Sequence, residues 1–337
     1  MRIRPILPFL LLCAAQALPA AKTLNIYFID VEGGQATLIV SPSKQCLLVD
    51  TGWPGLNSRD ADRIKAAAKR AGVKEIDYLL ITHYHSDHVG GVPQLVAKMP
   101  VKTFIDHGAS VEHGSEPDRL YHAYLKARDA GTHLEVKPGD KIPLKGLDVT
   151  VLTAAGAEIS SPLPGAGQPN PACATVQPKE ADPSENAQSV GILIQYGSFR
   201  MVDMGDLTWN KENELVCPNN KIGTIDLYLT THHGVNESNS PAIVQALHPR
   251  VAIMNNGARK GGSPETFDTL HSSPGIEDIW QVHYAVEAGK DRNSPEAMIA
   301  NSDEKNDAGD WLRVSADSDG AITVYNSRNK YEKTYTK

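Results

Sequence analysis

Residues 79–92 read LLITHYHSDHVGGV, which sets His83, His85, Asp87 and His88 within six positions, between an apolar run and a Gly-Gly pair. Residues two apart share a face of an extended segment, so His83 and His85 point the same way. Asp87 and His88 follow in the turn and can face a second ion. Neutral imidazole mixed with carboxylate suits zinc, with manganese or iron as alternatives. Two such ions about 3.5–4 Å apart can hold a hydroxide and a scissile group. A loop that is merely polar seldom gathers imidazole this densely, and the stretch reads as a metal site.

Such a site needs a rigid mount. The run IDYLLIT before it reads as a buried strand ending at Thr82, and ligands in open α/β arrangements gather at the carboxyl ends of strands. From Thr23, the runs LNIYFIDV, ATLIV and CLLVDTG are β-branched and apolar, and turn residues Gly33-Gly34 and Ser41-Pro42 separate them. That is the pattern of an antiparallel meander. RDADRIKAAAKRAG, with acids early, bases late and Gly72 as a stop, predicts a helix, and GVPQLVAKM a second one before the strand VKTFIDHG. Residues 154–188 carry six prolines and no period, which predicts a long loop. SVGILIQYG, FRMVDMGDL, IDLYLTT and RVAIMNNG predict a second strand-rich half, with a helix SPAIVQALH before the last of them, and residues 311–327 a closing hairpin. Two β-rich halves with interposed helices predict an α/β fold in which sheet packs on sheet with helices outside.

At 337 residues the chain buries a sizeable core without help from a metal or disulfides. Its formal charge is −7 with no Lys/Arg block, so nothing marks a nucleic-acid groove. Residues 1–21 run from two arginines through an apolar stretch to small residues, the order of a cleaved signal peptide and too short for a membrane span. The expectation is a single domain over 22–337, periplasmic or secreted. Cleavage would leave Cys46, Cys173 and Cys217. Cys46 lies inside an expected strand, which makes Cys173–Cys217 the expected bridge. The sequence is silent on oligomeric state.

The motif His83-x-His85-x-Asp87-His88 with Gly90-Gly91 resembles the signature of the metallo-β-lactamase superfamily. Other motifs of that family recur in order: DTG at Asp50 to Gly52, Gly205-Asp206 after a strand, and THHG at Thr231 to Gly234. The resemblance implies a four-layer αββα sandwich. FIDVEGGQATLIV, LLVDTG, NAQSVGILI and THHG are further similar to the metallo-hydrolase domain of the competence protein ComEC and of bacterial phosphorylcholine esterases. By that resemblance His83 and His85 would hold a first ion, Asp87 and His88 a second, and Asp206 would bridge the two. One of His232 and His233 would complete the second site, and the other could donate to a substrate oxyanion. Asp203 is expected to support the ligands from behind or to be structural. Asp30 and Asp50, each ending a predicted strand, are expected to orient ligand imidazoles.

One departure concerns the first ion. Many family members place a third histidine just before the strand that corresponds to SVGILI, and here the stretch is SENAQS. Asn186 and Ser189 are therefore expected to serve substrate or water, and His107 is a possible substitute ligand. The implied activity is hydrolysis by a metal-activated hydroxide, with Asp87 and His233 as catalytic groups. The expected substrate is a phosphodiester or phosphomonoester, with a lactone or β-lactam as the alternative and a non-catalytic metal-binding module as a third reading. The Gly-rich NNGARKGG loop could bring Arg259 and Lys260 to an anionic substrate.

Overall fold

The computed structural model of the protein describes residues 23–306 and 308–337; the expected signal peptide at 1–21 lies outside the described residues. The chain first forms β1 (Leu24–Phe28), β2 (Thr37–Val40), β3 (Cys46–Val49), β4 (Ile76–Leu80), β5 (Val101–Asp106) and β6 (Thr132–Glu135). Between them lie α1 (Arg59–Ala71), α2 (Ser86–Val89), α3 (Val92–Val96) and α4 (Ser115–Arg128). The second part comprises β7 (Lys141–Ile142), β8 (Asp148–Ala154), β9 (Ala157–Glu158), β10 (Gly191–Tyr196), β11 (Phe199–Asp203), β12 (Leu227–Leu229), β13 (Val251–Met254), β14 (Asp278–His283) and β15 (Ile299–Asn301). Its helices are α5 (Trp209–Val216), α6 (Pro241–Leu247) and α7 (Pro264–Ser272). The last strands, β16 (Leu312–Ala316), β17 (Ile322–Asn326) and β18 (Glu332–Tyr335), return to the first sheet, where β16 pairs antiparallel with β1.

The first sheet has the order β18-β17-β16-β1-β2-β3-β4-β5-β6, and the second β15-β14-β13-β12-β11-β10-β8-β7 with β9 on β8. Alternate side chains explain the layers. Leu24, Ile26 and Phe28 of β1 face Ile192, Ile194, Phe199 and Met201 of the other sheet in one inter-sheet core. Tyr27, Leu38, Leu48 and Leu79 point the opposite way, into a second core with Ile64 of α1, Leu95 of α3 and Tyr124 of α4. On the far side Leu193, Val202 and Tyr228 pack with Leu215, Ile243 and Leu270 of α5, α6 and α7. Strands covered on both faces read as unbroken apolar runs rather than alternating ones. The result is a helix–sheet–sheet–helix sandwich, as the sequence implies.

Several details differ from the sequence reading. The expected helix in GVPQLVAKM forms as α3, while the expected turn before it winds into a second short helix, α2, on the other side of Gly90-Gly91. A Cβ on Gly91 would lie 2.1 Å from the Thr51 carbonyl oxygen, and one on Gly90 2.3 Å from Pro54 Cδ. The backbone therefore approaches the Asp50–Pro54 turn closely enough to admit only glycine. IWQVHYA supplies β14, with His283 buried. Cys173 and Cys217 form a disulfide that ties the proline-rich segment to the end of α5, and Cys46 is free and buried. Among the described residues no helix is long and apolar enough to cross a membrane.

Candidate metal centre

In both sheets the parallel strands end at one edge. β3 and β4 run parallel, as do β11, β12 and β13, so Asp50, Thr82, Asp206, Thr231 and Asn255 all leave their strands toward the same place. Side-chain chemistry collects at the carboxyl ends of strands for this reason. The two edges also interlock: a Cβ on Gly205, whose φ is +53°, would lie 2.7 Å from Thr82 Cβ.

Asp50 organises the first sheet's contribution. Thr82 N–H donates to its Oδ1 (2.8 Å), Thr82 Oγ1 to its Oδ2 (2.7 Å), and His88 Nδ1 lies 2.7 Å from the same Oδ2. With Nδ1 held by Asp50, His88 turns Nε2 inward, the nitrogen left to face a metal. There Nε2 lies 3.2 Å from Asp206 Oδ2, 3.3 Å from Asp87 Oδ2 and 3.2 Å from His233 Nε2. His83 repeats the pattern. Its Nδ1 contacts Thr82 Oγ1 (3.1 Å) and Ser189 Oγ (3.4 Å), while its Nε2 is buried without a hydrogen-bond partner, 4.0 Å from Asp206 Oδ2.

The second sheet supplies Asp206 after β11 and His232 and His233 after β12. Asp206 Oδ1 lies 3.3 Å from His233 Nε2, and its Oδ2 lies 3.2 Å from His232 Nε2. Its carboxylate thus lies among imidazoles from both sheets. His233 Nε2 is also 3.2 Å from Asp87 Oδ2. Both histidines have φ of +53°, a left-handed conformation that costs about 1–3 kcal/mol each and persists only where surroundings impose it. Here His232 N–H donates to Gly205 O (2.9 Å) and Gly262 N–H to His233 O (2.9 Å).

Asp87, His88, Asp206 and His233 are all buried, and each offers a ligand atom within 4.8 Å of the others. Burial alone would raise the Asp87 and Asp206 carboxyls; the surrounding histidines outweigh it and hold both well below the usual range. His88 shows the converse. Its burial disfavours charge, but Asp206, Asp87 and Asp50 raise its pKa well above the ordinary imidazole value. The donor set fits a divalent ion. Two buried carboxylates converge with imidazole nitrogens, and His83 Nε2 and Asp206 Oδ1 have no hydrogen-bond partner, a state a polar atom rarely keeps without a ligand.

Not every expected residue joins. His85 directs Nε2 at Glu112 Oε1 (3.0 Å), which leaves Nδ1 as the nitrogen available for a metal. Glu112, from a loop with no recognisable motif, was missed by the sequence reading. His107 does not substitute for the absent third histidine: its Nε2 is 3.0 Å from Glu185 Oε2, which also accepts from Tyr84 N–H. Asp30 orients none of the clustered imidazoles either, because its carboxylate pairs with His283 Nε2 (2.7 Å) and Arg63 (3.1 Å). Asn186 carries a buried Oδ1 without a partner, and Ser189 is fully buried against His83. Asp203 is buried and accepts from Gln35 Nε2 (2.9 Å); burial, reinforced by Asp50, pushes its carboxyl up to about 7.

A cavity of about 240 Å³ opens beside the cluster, lined by Tyr84, His85, Ser86, Asp87, Glu112 and Leu120 among others. Larger clefts of about 430 and 630 Å³ lie by the disulfide and by Tyr284. Neither carries a comparable set of ligands among the described residues.

Glu212 of α5 supports the histidine turn from below. It accepts from Asn239 N–H and Ser240 N–H (both 2.9 Å), and Asn239 Nδ2 donates to Thr231 O (2.9 Å). Burial pushes the Glu212 carboxyl from 4.5 up to about 7. A raised acid pKa stabilises the fold fully below the unfolded value, and this contribution is lost as pH rises through the folded one. Glu212→Gln cannot ionise. The wild type should therefore lose stability relative to this variant between about pH 4.5 and pH 8, by up to about 3 kcal/mol. Urea titrations at pH 5 and pH 8 check this, and an equal gap at both would refute it.

Residues 29–175 match the metallo-β-lactamase superfamily. ComE operon protein 3 of Bacillus subtilis is 30% identical over 254 residues, which cover 69% of this chain and 28% of that protein. A hydroxyacylglutathione hydrolase of Rhodopseudomonas palustris is 31% identical over 101 residues, covering 30% of this chain and 33% of the relative. Here the chain spans a third or less of the relative in each case. Among solved structures, the metallo-beta-lactamase fold protein YhfI of Bacillus subtilis is similar at 12% identity and a TM-score of 0.48, covering 77% of this chain and 96% of that one. The chain belongs to the metallo-β-lactamase superfamily.

Proposed function

We propose that the protein is a phosphoesterase that works with two divalent ions, zinc in the first place and manganese or iron as alternatives. The observation that carries this reading is Asp206, whose carboxylate lies among imidazoles from both sheets, His232 and His233 from its own and His83 and His88 from the other. His233, Asp87 and His88 would hold one ion, and His83 with His85 Nδ1 the other, with Asp206 shared. Ions held there supply an acidified water and polarise a phosphoryl oxygen. The chain's own residues do the rest. Asp50, Thr82 and Glu112 hold the histidines in the tautomers that ligate, Asp87 orients the nucleophile, and His232, partly exposed beside Asp206, is placed to donate to the oxyanion. Asn186 and Ser189 serve substrate or water where a third histidine is absent.

We propose further that residues 22–337 form a single domain, exported after loss of residues 1–21. The Cys173–Cys217 bridge supports this, since disulfides persist in oxidising compartments. The partner is a small-molecule or phosphodiester substrate. Metal analysis followed by assays on bis-p-nitrophenyl phosphate, p-nitrophenyl phosphorylcholine, a homoserine lactone and nitrocefin tests the reading. About two ions per chain are expected, with fastest turnover on a phosphoester, lost on chelation and restored by zinc. Faster cleavage of the lactone or nitrocefin would replace this substrate class, and activity that survives chelation would remove the metal.

A further inference from the structure

We infer that Lys260 grips a non-bridging oxygen of an anionic phosphoester at the metal centre, which makes the site select charged over neutral substrates. The inference rests on the phosphoesterase reading. Lys260 Nζ hydrogen-bonds Asp87 Oδ2, the same oxygen that lies 3.3 Å from His88 Nε2 and 3.2 Å from His233 Nε2. The ammonium therefore reaches the edge of the ligand cluster from the solvent side, its side chain about a third exposed.

This is a built position. The ammonium lies over the Trp53 ring, 4.8 Å from its centre, a contact that favours a cation. The backbone is pinned as well: Gly257 N–H donates to Lys260 O (2.8 Å), and Gly262 N–H to His233 O (2.9 Å). A Cβ on Gly33 would lie 2.9 Å from Lys260 Cβ, so the β1–β2 turn packs directly on this residue. Arg259, its neighbour in the same loop, turns away and pairs with Glu304 at 3.0 Å. The loop thus commits one of its two cations to the site.

An ammonium offers three donors and no acceptor. Once the Asp87 oxygens are engaged by a divalent ion, Lys260 stands beside concentrated positive charge, and the partner that satisfies it is an anion. A phosphoester held at the centre presents such an oxygen; a lactone or neutral ester does not. Charge-assisted hydrogen bonds of this kind are short and strong, and a lysine serves as a point charge for phosphate.

The test uses zinc-loaded wild type, Lys260→Met, which keeps most of the stem over Trp53, and Lys260→Arg, which keeps the charge. Zinc per chain, binding of inorganic phosphate by calorimetry, and KM and kcat on bis-p-nitrophenyl phosphate and on neutral p-nitrophenyl acetate are measured. In Lys260→Met, phosphate affinity should fall about 10–100-fold and KM for the diester rise in step. Zinc content and KM for the acetate should hold, and Lys260→Arg should recover phosphate binding. Unchanged phosphate affinity in Lys260→Met overturns the inference, as does a parallel loss of zinc, which would make Lys260 a support of the metal site. Phosphate binding that depends on Lys260 in a protein without phosphoesterase turnover would remove the proposed reaction and leave the anion site. Phosphoesterase turnover with Lys260-independent phosphate binding would do the reverse.

Discussion

Asp206→Ala is expected to lose bound metal and hydrolysis together. Its carboxylate is buried, with Oδ1 3.3 Å from His233 Nε2 and Oδ2 3.2 Å from both His88 Nε2 and His232 Nε2. No other acid can replace both oxygens. Asp203, three residues earlier, is tied to Gln35, and Asp87 already serves His88 and His233 from one oxygen. Removing Asp206 leaves four imidazoles converging on a space without the charge that offsets a dication. Zinc per chain should drop from about two to below one, and turnover by at least about 1,000-fold, because bound ions carry the chemistry in such sites. Elemental analysis of the dialysed variant, run beside the diester assay, checks both. Full metal with full activity would end the binuclear reading; full metal with no activity would move Asp206 from ligand to proton handling.

Asp50→Asn is expected to weaken metal binding although Asp50 touches no ion site directly. Its Oδ2 lies 2.7 Å from His88 Nδ1, which keeps a proton there and leaves Nε2 as the nitrogen that yields its proton to a metal. An amide at the same position can still accept from Thr82 N–H, but its NH₂ group presents a donor to Nδ1. The ring would then carry its proton on Nε2, the nitrogen that faces Asp87 and Asp206. Loss of an orienting carboxylate of this kind costs about 10–100-fold in metal affinity. Competition against a zinc chelator measures it. Asp30→Asn is the matched control: that carboxylate holds His283 and Arg63 rather than a clustered imidazole, and its variant should keep wild-type zinc affinity. Equal affinities for wild type and Asp50→Asn would show that His88 needs no partner to choose its tautomer.

Much of the centre is legible in the chain because its parts are local. His83, His85, Asp87 and His88 are neighbours in sequence, and Asp206 and His233 each follow a strand whose apolar run announces it. The layered fold is legible for the same reason, since strands covered on both faces must be apolar throughout. The sequence by itself therefore determined the elements that mount the cluster and the pool of candidate ligands.

The tertiary structure decided how that pool is divided, through pairs far apart in the chain. His233 enters the four-residue cluster, and His232 stays at its partly exposed edge, because consecutive left-handed residues after β12 send the two rings to different sides of Asp206. Asp50 rather than Asp30 orients an imidazole of the cluster because β3 runs beside β4, which carries the motif, while β1 lies on the far side of β2. His107 goes to Glu185, 78 positions away, His85 to Glu112, 27 positions away, and Lys260 to Asp87 across 173. A hydrogen bond requires two groups within about 3 Å and in line. For residues on separate strands, that condition is set by strand order and by how closely the glycine turns let the two sheets' loops approach, and no spacing along the chain encodes it.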